Sequence, residues 1–174
     1  QIPGLVAAIM WTYLYVPEIS PFAGHLGFSL LSSHVILASM ANMTTWTFTG
    51  YNMLIFLAAL QAIPSDLYEA ARIDGASGWD IMTKIKVPMV RGAAMLAVLL
   101  SIIGTVQLFN EPTVLATVAT WMPRDYTPMM MAYNTMNGKI SPSGAGPASA
   151  VSIMMALVAG VLAMIYALAQ RKVD

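Results

Sequence analysis

Charge is scarce in this chain, and much of it gathers in one short island: Asp66, Glu69, Arg72, Asp74, Asp80, Lys84, Lys86 and Arg91. The island reads Leu67-Tyr-Glu-Ala-Ala-Arg-Ile-Asp-Gly75-Ala-Ser-Gly-Trp79 and runs on to Ile85-Lys-Val-Pro88. Glu69-Ala-Ala is followed by three residues, Gly75, nine residues, Ile85, two residues and Pro88. The chemistry on offer is recognition. Tyr68 and Arg72, like Glu69 and Ile73, lie one helical turn apart and share faces, while Ala70 and Ala71 present almost no side chain and permit close approach by another protein. Pro64 with Ser65 or Asp66 supplies a helix start. With Asp66 as the cap, Glu69 falls at the third helical position, where its carboxylate reaches back to a free amide. The spacing predicts a first helix from Leu67 to Asp74 and a left-handed turn at Gly75. A second helix of about ten residues then carries Trp79 and Met82 towards Pro88, where the next long helix should begin.

Bond-making chemistry finds no footing elsewhere. There are no cysteines, so disulfides and thiolate metal sites are excluded. His25 and His34 have no carboxylate or second histidine at ligand spacing. The sole Gly-Lys pair, Gly138-Lys139, is not part of a phosphate loop. Asn42-Met-Thr44 matches a glycosylation sequon but falls within an apolar segment, and Met129-Met-Met131 reads as flexible filling. An intramembrane hydrolase would need a nucleophile with a base or metal at matched depth, and the apolar segments hold Ser and Thr but no Asp, Glu or paired His. The few cations form no stripe, so nucleic acid has no electrostatic footprint.

The elements that position the island are membrane spans. Hydrophobic residues make up 58% of the chain and charged ones 9%, with mean hydropathy +0.70, whereas soluble domains carry roughly a quarter charged residues. A span needs about 20 mostly apolar residues. Three stretches qualify: His34 to Leu57, Met89 to Phe109 and Ala148 to Ala169. Gly4 to Val16 is half a span. The chain opens Gln1-Ile2-Pro3 with no charged leader, which suggests a piece of a longer protein cut within a helix and no signal peptide. Arg72, Lys84, Lys86 and Arg91 share a side with Arg171 and Lys172, whereas the opposite side holds only Arg124 and Lys139, so the island faces the cytoplasm. Trp121, Tyr126 and Tyr133 on the outer side suit interfacial anchoring or re-entrant structure. No repeat is evident, so residues 1–174 form one domain with a cytoplasmic loop at residues 60–88.

Polar groups in the second span (Ser39, Asn42, Thr44, Thr45, Thr47, Thr49 and Asn52) must face other helices or a wet cavity. Gly50 would interrupt or bend that span. Asn42, Thr45, Thr49 and Asn52, with Gln107 and Asn110 at the outer end of the third span, are candidates for a solute path; helix-to-helix hydrogen bonding is the alternative. Ala156, Gly160, Ala163 and Ala167 recur at helical spacing and suggest close helix contact, including with another subunit.

From about Trp46 to Val90 the chain resembles the permease subunits of bacterial ABC importers, in the carbohydrate-uptake group related to the maltose and glycerol-phosphate systems. The residues that carry this are Leu57-Ala-Ala-Leu-Gln61-Ala-Ile-Pro64, the Glu69-Ala-Ala element, Asp74-Gly-Ala-Ser77 with Trp79, and later Gly146-Pro-Ala-Ser-Ala150. Met82 stands where an aromatic residue is usual, Val87 where Leu is, and Gly92 at a frequent Pro position; Phe109-Asn-Glu-Pro112 lacks the glycine-rich sequence of many relatives. The resemblance implies an all-α polytopic membrane bundle, the C-terminal part of the permease fold, with about three full spans, a partial one and a helix-turn-helix coupling loop. It implies a bacterial inner membrane location, no enzymatic activity, and no cofactor on this chain, ATP and Mg being held by a partner. The implied partners are an ABC ATPase dimer gripping Glu69, Ala70, Ala71, Asp74 and Gly75, a second permease subunit, an extracytoplasmic solute-binding protein, a sugar-like solute and lipid. A non-transport structural subunit of a membrane complex is the alternative, although it leaves the island's spacing without a cause.

Overall fold

A computed structural model of the chain describes residues 2–172, and every regular element among them is helical. The order is α1 (Gly4–Tyr15), α2 (Ile36–Gln61), α3 (Ser65–Ile73), α4 (Gly78–Ile81), a π-turn (Met82–Lys86), α5 (Val87–Met89), α6 (Arg91–Val106), α7 (Asn110–Leu115), α8 (Pro128–Met136) and α9 (Ala145–Arg171). At 26 and 27 residues, α2 and α9 are each about 40 Å long, more than the ~30 Å hydrocarbon core.

Apolarity separates them. The run Arg91–Leu115 and α9 are long and apolar enough to cross a membrane, whereas α2 meets the same standard only together with α3, from which it is bent by 64°. The cause is the series of Ser, Thr and Asn residues along α2. Of the two expectations for Gly50, interruption is not met: α2 continues through it from Ile36 to Gln61. Glycine costs a helix about 1 kcal/mol relative to Ala, too little to stop one that continues on both sides. The helix stops instead just before Pro64, whose ring disfavours helical geometry in the preceding residue.

Buried apolar side chains collect at the end of α2 remote from the charged island. Tyr15, Leu31, Ile36, Met40, Met43, Leu115, Ala119, Met122 and Met130 form this core, which joins α1, the first turns of α2, α7 and the segment up to α8. Polar groups stitch it. The Tyr15 hydroxyl donates to the Ser39 carbonyl (3.0 Å), the Ser39 hydroxyl to the Leu30 carbonyl (2.7 Å), and the Trp121 indole to the Leu31 carbonyl (2.8 Å). Trp121 also meets Tyr126 edge-on at 5.6 Å. Trp121 and Tyr126 thus pack against this lobe, whereas Tyr133 is exposed. On α9, Gly160 has nothing within 4 Å of where a Cβ would stand, and Ala156 and Ala167 are exposed. The small-residue row therefore remains open among the described residues.

Candidate functional site

Two features emerge, a charged hairpin over residues 62–90 and a groove between α2 and α6. In the hairpin, α3 begins at Ser65 after Pro64, with no side-chain cap. This corrects the sequence expectation. Asp66 is already inside the first turn, so Glu69 lies two positions too far along to reach back to a free amide, and its carboxylate is exposed. Asp74, Gly75 and Ala70 are exposed as well, and Ala71 is half-buried.

The turn is a Schellman motif. The Ala76 amide donates to the Ala71 carbonyl (2.9 Å) and the Gly75 amide to the Arg72 carbonyl (3.0 Å), with Gly75 at φ 83°, a left-handed conformation that only glycine adopts freely. Ser77 then caps α4: the Asp80 amide donates to the Ser77 hydroxyl oxygen (3.2 Å), and the Ser77 amide donates to the Asp80 carboxylate (3.0 Å). This reciprocal capping box, legible as Ser77-x-x-Asp80, was missed in the sequence. Lys84 donates to the other Asp80 oxygen at 2.8 Å. The Lys84 ammonium, with Ser77, holds the Asp80 carboxyl well below the ordinary carboxylate range.

The second limb departs from the expected plain helix at Met82–Lys86, where the Val87 amide donates to the Met82 carbonyl five residues back. Pro88 explains the widening: it offers no N–H and its ring crowds the carbonyl four residues earlier. The expectation that Pro88 opens the next long helix is also corrected, since α6 begins at Arg91 after a break at Val90. The most exposed large apolar side chains of the hairpin are Ile73 at 86% and Trp79 at 70% exposure.

The groove has a volume of about 1090 Å³. Five of the six predicted solute-path residues line it: Thr45, Thr49, Asn52, Gln107 and Asn110. Asn42 does not. Its amide donates to the Tyr15 hydroxyl at 2.8 Å, so it belongs to the remote lobe. Gly4 makes room for Asn110, because a Cβ there would stand 3.3 Å from the Asn110 amide nitrogen. Sequence reasoning missed Phe48, Tyr51, Ser101, Thr105 and Glu111 on the same wall. Glu111, placed by the sequence in an outer segment, sits in α7 at 6% exposure. Thr49, Ser101 and Thr105 donate to carbonyls one turn back in their own helices, which leaves their oxygen lone pairs as acceptors towards the groove. The lining holds no Lys, Arg or His. Among the described residues no group of three His, Cys, Asp or Glu could hold a metal ion.

The family described as "Binding-protein-dependent transport system inner membrane component" matches residues 1–174. Similar curated proteins include the lactose transport system permease protein LacF of Rhizobium radiobacter, 37% identical over 74% of this chain and 43% of that protein. The probable starch degradation products transport system permease protein AmyD of Thermoanaerobacterium thermosulfurigenes is 25% identical over 99% of this chain and 60% of its own length. The trehalose transport system permease protein SugA of Mycobacterium tuberculosis is 31% identical over 64% and 37%. The chain therefore spans about half the length of the curated relatives it matches.

Proposed function

Because this chain belongs to the family of inner membrane components of binding-protein-dependent transport systems, we propose that its hairpin is the cytoplasmic handle through which an ATPase partner drives solute import. One observation carries the proposal. The hairpin is shaped by its own backbone and caps, yet Glu69, Asp74, Ile73 and Trp79 all point away from the fold. An exposed pair of carboxylates beside two exposed apolar side chains suits a cleft that is basic at its rim and apolar at its floor. Glu69 meets a cation there, Ala70 and Ala71 allow close contact, and Gly75 sets the angle between the limbs. This chain burns no ATP; nucleotide and Mg belong to the partner. The single domain over residues 1–174, with its loop at residues 60–88, works beside a second permease subunit and receives solute from an extracytoplasmic binding protein.

The groove is the solute path. Hydroxyl, amide and carboxylate groups alternate there with Phe48, Tyr51 and Phe109, a mixture of acceptors, donors and ring faces suited to a hydroxyl-rich solute. The names of the relatives point to the same class, a sugar or oligosaccharide.

Co-purification of the full-length permease with its ATPase is the test. The ATPase elutes with the unmodified protein, whereas Glu69→Arg or Gly75→Pro releases it or uncouples hydrolysis from uptake of lactose, trehalose or maltodextrin. Proline holds φ near −65° and cannot adopt the 83° of Gly75. Undiminished, transport-coupled ATPase activity in both variants defeats the coupling proposal. Alanine at Thr45, Thr49, Asn52, Gln107 and Asn110 weakens uptake of the carried sugar; an unchanged uptake constant for every sugar tested defeats the groove assignment.

A further inference from the structure

The two limbs of the hairpin join at Gly75, and α3 makes no extensive contact with another helix among the described residues. A lever so built bends at its elbow unless something spans the limbs. A side-chain contact does: the Lys86 ammonium lies 5.6 Å from the centroid of the Tyr68 ring. Tyr68 immediately precedes Glu69, and Lys86 closes the π-turn that leads into Pro88 and α6. A π-turn carries one residue more than an α-turn, which rotates the residues beyond it by about 100°. Lys86, at its end, is the side chain delivered to the ring. The other lysine of the turn, Lys84, is held by Asp80.

We infer that Lys86 and Tyr68 form a clasp that makes the hairpin move as one body, so that a push on Glu69 reaches α6 and is not dissipated as bending at Gly75. Both are positioning residues for coupling, and the inference rests on the coupling proposal above. The attraction is between a cation and a ring face, so its chemistry sorts the variants. Lys86→Arg and Tyr68→Phe keep it. Lys86→Met and Tyr68→Leu remove it.

Amide hydrogen exchange on the full-length permease assembled with its ATPase tests the clasp without any solute. Exchange at Gly75 and Ala76 rises about two- to fivefold in Lys86→Met and in Tyr68→Leu, the range expected of an exposed cation–π contact. The double variant rises no further than either single one, and Lys86→Arg and Tyr68→Phe match the unmodified protein. In proteoliposomes supplied with the binding protein and radiolabelled lactose or trehalose, sugar moved per ATP hydrolysed falls in the first pair only, while the ATPase still co-elutes with all four. Unchanged exchange in Lys86→Met, additive effects in the double variant, or an equal rise in Tyr68→Phe overturns the clasp and leaves the coupling proposal standing. Failure of the unmodified permease to retain an ATPase overturns the coupling proposal instead.

Discussion

At one end of the molecule Tyr15, Ser39, Asn42 and Trp121 tie together segments far apart in the chain, the Trp121 bond spanning 90 residues. At the other end, the bonds that shape the hairpin link near neighbours: Ala76 to Ala71, Gly75 to Arg72, Ser77 to Asp80, and Lys84 to Asp80. The lobe buries Ile36, Met43 and Leu115 completely or nearly so, whereas the hairpin leaves Ile73 and Trp79 in the open. The difference separates two ways of holding a shape. Long-range burial fixes the lobe to the bundle and consumes its surface in doing so. Local caps and turns shape the hairpin without using its outer face, which stays available to a partner.

The contrast breaks most visibly in the lobe. Leu115→Ala removes a fully buried side chain and lowers stability by about 2–5 kcal/mol, read as a fall in the thermal midpoint of the purified permease, while the hairpin's amide protection is unchanged. Next in size, Trp121→Phe keeps the ring but loses the bond to Leu31, at a cost of about 0.5–1.5 kcal/mol. Proteolysis within residues 17–35 then accelerates. Ser77→Ala removes one half of the capping box and destabilises α4 by about 1 kcal/mol, seen as faster exchange at the Asp80 amide with no change in thermal midpoint. The smallest effect is a response to pH. The Asp80 carboxyl is depressed by Lys84 and Ser77, so its contribution to the cap is present above the ordinary carboxylate range and is lost only as pH falls through the lowered value. Protection of the Ser77 amide, which donates to that carboxylate, therefore persists down to the ordinary aspartate value of 3.8. In Lys84→Met it fades at higher pH.

The same contrast governs what could be read from the sequence. Gly75 was legible because a left-handed turn is a property of one residue and its immediate neighbours. The Ser77–Asp80 box was equally local. The start of α3 was misassigned to Asp66 because Pro64, Ser65 and Asp66 all offer start signals, and the backbone takes the earliest. The groove was legible on α2, where Thr45, Thr49 and Asn52 recur close to helical spacing, but Asn42 looked the same from the sequence. Its partner is a tyrosine 27 residues upstream, which no local pattern announces. The burial of Glu111 was likewise invisible, since it arises from α7 lying against α1, a contact between segments about a hundred residues apart.

The hydroxyls of Thr49, Ser101 and Thr105 already donate to carbonyls of their own helices, so an unladen groove strands none of these donors. Under the solute-path proposal, a passing guest gains shallow purchase in the groove and departs without stranding these donors, the behaviour of a corridor built for traffic more than for storage.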